Sequence, residues 1–110
     1  MPKIEIRTLE AWAHIDAMRI LDPATGIWYA VFPEGQQAFC HVGETCWLNL
    51  RLKNAGTTAG TLYLIIRRQD TGQVIWNQSY PLGVDQYVDI DQINFVMPAY
   101  NVSLYFEIGH

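Results

Sequence analysis

The stretch that decides the fold is TCWLNLRLK, residues 45–53. Its apolar residues recur at every second position, and polar or aromatic residues occupy the positions between them. A period of two is that of a β-strand with one buried face and one outward face. The buried set is Cys46, Leu48, Leu50 and Leu52, and the outward set is Trp47, Asn49, Arg51 and Lys53.

The same alternation continues toward the carboxyl terminus and predicts further strands over residues 61–68, 73–80, 86–97 and 102–108. Asp70 and Gly72 lie in a turn sequence that predicts a hairpin. Polar and apolar residues exchange faces near Asp91, which predicts a bulge or a change of sheet there. The core predicted from these strands is Leu48, Leu50, Leu64, Ile66, Phe95, Leu104 and Phe106.

The first third of the chain is less regular. Residues 3–9 alternate as a strand, but residues 9–21 fit a helix through Leu9, Trp12, Ile15 and Met18 as well as they fit a strand. We favour a strand, because residues 22–26 form a convincing hairpin turn into residues 27–31. Residues 33–35 are expected to close that hairpin before a strand over residues 37–41.

Seven or eight short strands with turns about every ten residues predict an all-β fold, an immunoglobulin-like antiparallel β-sandwich with an extra N-terminal hairpin. A small closed barrel is the alternative. We expect one domain over residues 1–110, with residues 1–34 as the N-terminal strand and hairpin and residues 35–108 as the core.

Composition limits the classes of partner. The chain has 110 residues, half of them apolar, and a formal net charge of −4. Nucleic acid and anionic membranes attract the opposite sign of charge, so neither is expected as a partner. The first residues lack the pattern of a secretory signal, so we expect cytoplasmic synthesis, with incorporation into a virion or a surface assembly.

Cys40 and Cys46 are the only cysteines. A tight hairpin through Gly43 would bring them side by side, where they could form a disulfide. Two reduced, partly buried thiols are the favoured interpretation, because structural disulfides are rare in the cytosol. Cys40, His41 and Cys46 are too few and too irregularly spaced for zinc, so no metal or other cofactor is expected.

Catalytic motifs are equally sparse. His14, His41 and His110 have no nucleophile motif beside them, so we expect no enzyme and assign no catalytic residue. Asp85, Asp89 and Asp91 could form a paired-carboxylate or calcium site. The favoured interpretation is that Asp89 and Asp91 lie on a solvated strand face and protect an edge, because calcium loops pack their acidic residues more densely with glycine or asparagine.

The aromatic content is the more informative feature. Four tryptophans and six tyrosines exceed the needs of a core of this size, and Trp47 lies on the outward parity. Exposed aromatic residues serve as sugar-stacking platforms or as anchors of protein interfaces. The candidate binding surface comprises Trp28, Trp47, Tyr63, Trp76 and Tyr80.

Three segments carry a resemblance to a known family. They are VGET with the following strand and KNAG over residues 42–56, DTGQVI over residues 70–75, and FVMPA with NVSL over residues 95–104. In these features residues 35–108 resemble the CARDB-type immunoglobulin-like domains. The resemblance implies a non-catalytic adhesion or spacer module.

The sequence therefore predicts an interaction module without enzymatic activity. Its expected partner is a protein or a second copy of the chain within a larger assembly, and a capsid-decorating component of a virion is the specific hypothesis. A carbohydrate-binding or adhesion module is the alternative, and a small hydrolase is the third and least favoured.

Overall fold

The protein is a sandwich of two β-sheets. The computed structural model describes residues 2–8 and 14–109, which contain nine strands: β1 (Lys3–Thr8), β2 (Ile15–Asp22), β3 (Ile27–Phe32), β4 (Ala38–Phe39), β5 (Thr45–Lys53), β6 (Gly60–Arg68), β7 (Val74–Leu82), β8 (Tyr87–Val96) and β9 (Val102–Gly109). The five-stranded sheet has the order β4-β1-β9-β6-β7 and the four-stranded sheet the order β3-β2-β5-β8. All neighbours are antiparallel except β1 and β9. The two-sheet all-β prediction is confirmed.

The core lies between the two sheets. In β5 the exposed fraction of Leu48, Leu50 and Leu52 is at most 4%, and each such side chain contributes about 2 kcal/mol by leaving water. The other predicted core residues are buried as well, so that prediction is confirmed: Leu64, Ile66, Phe95, Leu104 and Phe106.

β8 carries the predicted bulge. Leu48 pairs with Ile93, but Leu50 pairs with Ile90, so two residues of β8 lie opposite Asn49. The extra residue restores the alternation, because Ile90 and Ile93 both face the core although they are three positions apart. This bulge is the cause of the exchange of polar and apolar faces that the sequence shows near Asp91.

The first third of the chain contributes to both sheets. β1 lies between β4 and β9, and β2 lies between β3 and β5. Over residues 15–22 the preferred strand is confirmed, and residues 22–26 form the predicted turn, in which the Gly26 amide donates to the Asp22 carbonyl (2.8 Å). The remainder of the ambiguous segment, residues 9–13 with Trp12, lies outside the described residues.

One predicted hairpin is wrong: the tight turn through Gly43 does not pair residues 37–41 with residues 45–53. β3 belongs to the four-stranded sheet, β4 to the five-stranded sheet and β5 to the four-stranded sheet again. The chain therefore crosses between the sheets at residues 33–37 and crosses back at residues 40–44. Local turn residues mark a change of direction, but they do not specify which sheet receives the next strand.

One strand boundary also differs from the predicted end at residue 80, because β7 continues through Pro81 to Leu82. Proline lacks an amide hydrogen and is tolerated here because β7 is the edge strand of its sheet.

A disulfide between Cys40 and Cys46 holds the return crossing in place, so the favoured interpretation of two reduced thiols is wrong. Both cysteines have no exposed surface. Cys40 follows β4 and Cys46 belongs to β5, so the bond joins the edge of one sheet to the middle of the other.

Asp22 fastens the same region from the β2–β3 turn. This fully buried carboxylate accepts from the Ala24 amide (3.2 Å) and lies 2.7 Å from Nδ1 of His41, the residue after Cys40. Burial raises the pKa of Asp22, but the hydrogen bonds from His41 and Ala24 outweigh burial and hold that pKa below its ordinary value.

We expect reduction of the disulfide to lower the free energy of unfolding by about 2 kcal/mol, because the bond closes a short loop in the unfolded chain. Urea unfolding with and without reductant measures this difference. The control is the double variant Cys40→Ala, Cys46→Ala, whose stability should not respond to reductant. Equal stability of the oxidised and reduced wild type would contradict the assignment.

Asp22→Asn is expected to lower the free energy of unfolding at pH 7 by about 2 kcal/mol, because it removes the charge that His41 contacts. A carboxyl whose pKa is lowered in the folded state stabilises the fold above its unfolded pKa of about 3.9 and loses this contribution as the pH falls through the folded value. The difference between wild type and variant should therefore narrow below about pH 4. A difference that stays constant from pH 7 to about pH 2 would contradict this account.

Candidate interaction surface

The outer face of the four-stranded sheet carries a row of apolar side chains. Leu21 of β2 pairs with Trp28 of β3 on one side and with Trp47 of β5 on the other, and Trp47 in turn pairs with Asn94 of β8. Directly paired residues of antiparallel strands share one face, with Cβ atoms about 5 Å apart. We call Trp28, Leu21 and Trp47 the aromatic row.

The aromatic row is accessible at the sheet surface. Trp28 is 38% exposed, whereas Leu21 and Trp47 are half-buried. Val96, two residues beyond Asn94 in β8, is 58% exposed and extends the apolar area to the opposite edge of the sheet. The row thus spans three strands, and with Val96 the apolar area reaches all four.

Arg19 covers part of this surface. Its guanidinium lies 4.2 Å from the centre of the Trp28 ring, which is the geometry of a cation–π contact. Because Arg19 pairs with Ala30 and Asn49, it stands in the cross-strand row next to the aromatic row.

A groove of about 600 Å³ lies beside the aromatic row on the same face. Three of the strands that line it, β2, β5 and β8, meet there with irregular register. Arg51 lies in the groove, donates to both oxygens of Asp89 (2.8 and 3.2 Å) and stacks 4.0 Å above the Tyr87 ring. The hydrogen bonds from Arg51 lower the pKa of Asp89, so the groove carries a neutralised ion pair at neutral pH.

The structure separates the predicted site residues. Trp28 and Trp47 share the aromatic row, but Tyr63 lies on the outer face of the other sheet, where it pairs with Gly109. A Cβ at Gly109 would stand 2.6 Å from the Tyr63 ring, so a larger residue there would displace the ring.

Trp76 and Tyr80 face inward from β7. Trp76 pairs with the buried Ile66 and Tyr80 with the buried Leu62. The Trp76 Nε1 donates to the Tyr80 hydroxyl (2.9 Å), and burial raises the pKa of Tyr80. These two residues pack against the core and do not extend the aromatic row.

Arg19 and Leu21 belong to the surface but were not predicted. The position of Leu21 was predictable from the hairpin, because counting outward from the turn at residues 23–26 places Leu21 opposite Trp28. The pairing of Leu21 with Trp47 depends on which strand lies beside β2, and the local sequence does not specify that.

His14 and His41, the histidines in the described part of the chain, contact a backbone carbonyl and a carboxylate. His41 contacts Asp22, and Nδ1 of His14 lies 3.1 Å from the Lys53 carbonyl. Neither the groove beside the aromatic row nor a second groove at β1 is lined by a histidine. Within residues 2–8 and 14–109, no three His, Cys, Asp or Glu side chains are grouped to hold a metal ion.

Comparisons with known proteins identify no relative: no family model, curated protein or solved structure matches the chain. The resemblance to the CARDB-type domains stays a prediction. The described part of the chain also contains no helix long and apolar enough to cross a membrane.

Proposed function

We propose that this chain is a non-enzymatic structural module that assembles with copies of itself through the aromatic row, as part of a larger protein particle such as the surface of a virion. The observation that carries the proposal is the aromatic row, with Trp28 and Trp47 on one accessible sheet face and Arg19 stacked on Trp28. Tryptophan and arginine are the residues most enriched among the energetic centres of protein interfaces.

Several features favour a protein partner over a sugar. A sugar ring stacks on an uncovered aromatic face, whereas Arg19 already occupies one face of Trp28. Trp47 lies half-buried between Leu21 and Asn94 in the middle of the sheet, which suits a broad, flat contact. The row itself is apolar and has polar neighbours in Arg19 and Asn94, which matches the apolar centre and polar rim of a protein interface.

The disulfide supports a location outside the reducing cytosol. A buried disulfide between two sheets is typical of proteins that work in oxidising surroundings, and the surface of a released particle is such a place. The immunoglobulin-like and CARDB-type assignments belong to the same proposal, and the two-sheet architecture, antiparallel except for β1 and β9, supports them.

Light scattering coupled to gel filtration tests the self-association. We expect the mass of the wild type to rise above the monomer value of 12.6 kDa between about 1 and 500 µM, the range in which modest interfaces form. Trp28→Ala with Trp47→Ala should weaken association on the order of 100-fold, because each change removes a large aromatic contact.

The matched control is Val74→Ala with Val84→Ala, two changes at residues that are 45% and 46% exposed away from the aromatic row. This variant should associate like the wild type. A wild type that remains monomeric over the whole concentration range would contradict the proposal, as would equal effects of the two double variants.

Carbohydrate binding is the second candidate function, and the groove beside the aromatic row is the feature that favours it. Asn49, Arg51 and Asp89 line it with hydrogen-bonding groups. Binding of a polysaccharide to the monomer, lost in Trp47→Ala and in Arg51→Ala, would favour this candidate over self-association.

A further inference from the structure

The edge of the five-stranded sheet is incomplete beside β1. β4 is only two residues long and pairs only with Lys3 and Ile4, although β1 continues to Thr8. Beyond Ile4, β1 is paired with β9 on one side and has no neighbouring strand on the other side within the described residues.

The direction of the backbone groups follows from two hydrogen bonds. The Cys40 amide donates to the Pro2 carbonyl (3.3 Å), so the backbone groups of residue 2 point toward β4. The Lys3 amide donates to the Asn101 side chain (2.9 Å), on the β9 side. Since these directions alternate along a strand, the N–H and C=O of Ile6 point past the end of β4.

The connection before β4 explains why the edge stays open. Gln36 would lie opposite Ile6 if the pairing continued, but its amide donates to the Ala30 carbonyl (3.0 Å) and its side-chain oxygen accepts from the Ala30 amide (3.0 Å). Gln36 therefore covers the edge of β3 in the other sheet. No described residue forms the corresponding pair with Ile6.

A slot of about 370 Å³ lies along this edge. Its walls include the half-buried side chains of Ile6 and Val31 and the segment 35–37. The slot therefore offers both unpaired backbone groups and an apolar surface, which are the two requirements for binding an extended peptide as an added strand.

The charged side chains beside the slot favour an acidic partner. Glu5 lies 3.3 Å from the Lys3 ammonium and 2.9 Å from the Arg7 guanidinium, so one carboxylate is shared by two cations and the group has a net positive charge. Arg7 is exposed (58% of its side chain) and lies next to Ile6. An acidic side chain placed beside Arg7 would complement this charge.

The two longest edge strands, β7 and β8, are protected against added strands. β7 carries Pro81, and β8 carries the exposed residues Asp89 and Asp91, both of which discourage pairing.

We propose that β1 accepts an extended segment of a partner protein as an antiparallel strand that continues the line of β4. The backbone of the segment pairs with Ile6, an apolar side chain enters the slot toward Val31, and an acidic side chain lies beside Arg7. This contact is separate from the aromatic row, because β1 belongs to the five-stranded sheet.

Amide hydrogen exchange with a synthetic probe tests the proposal. The probe is a seven-residue peptide that alternates valine and glutamate, and its counterpart alternates valine and lysine. We expect the Ile6 amide to exchange quickly in the free protein and at least about tenfold more slowly with the valine–glutamate peptide. The lysine peptide should have little effect.

Two variants separate backbone pairing from charge. Ile6→Pro removes the N–H that faces the slot and leaves the amides that face β9, so it should abolish peptide binding. Arg7→Glu should weaken the glutamate peptide about fivefold, as loss of an exposed charge pair does, and favour the lysine peptide. The matched control is Arg67→Glu, the same charge change on the same face but two strands away, in β6 on the far side of Tyr105. This variant should bind like the wild type.

Slow exchange of the Ile6 amide in the free protein would overturn the proposal, because the edge would already be paired. Equal effects of Arg7→Glu and Arg67→Glu would also overturn it.

Self-association that Ile6→Pro abolishes would assign the edge to a second copy of the chain and contradict an acidic peptide as its occupant. Trp28→Ala with Trp47→Ala should leave peptide binding unchanged, so failure of the aromatic-row proposal is distinguishable from failure of this one.

Discussion

Burial of one face of β5 is the constraint on which the rest of this structure depends. Cys46, Leu48, Leu50 and Leu52 are almost completely enclosed between the sheets. Because side chains alternate along a strand, Trp47 and the other outward residues of β5 lie on the opposite face. A slip by one residue would expose the leucines and bury Arg51, which is costly enough to fix the register. The same burial that holds the core together therefore displays the aromatic row.

A second constraint is the path of the chain between the sheets. The segment from Gly35 to Cys46 leaves one sheet, contributes the short β4 to the other, and returns. It is fastened by the buried disulfide and by the contact of His41 with the buried Asp22. The short β4 leaves the edge of β1 open, because Gln36 turns its hydrogen-bonding groups to β3 instead. The path of the chain thus creates an edge that no strand within residues 2–8 and 14–109 covers.

The sequence contained most of the fold but only part of the candidate surface. The parity of Leu48 and the bulge near Asp91 were predictable, because alternation is a local property of the chain. The partners of Leu21 and Cys40 were not, because they depend on which strand lies beside which. Cys40 and Cys46 are close in sequence and suggested a hairpin, yet their strands lie in different sheets. Trp76 was grouped with Trp47 by residue type, but its pairing with Ile66 turns it inward.

In the proposed assembly, a second copy of the chain covers the outer face of the four-stranded sheet. Oxidative footprinting at increasing protein concentration measures this for each side chain. The account predicts that oxidation of Trp28 and Trp47 slows as the protein associates, while Tyr100, which is 52% exposed outside the two sheets, reacts at a constant rate. Constant rates at both tryptophans, or protection at Tyr100 instead, would contradict it.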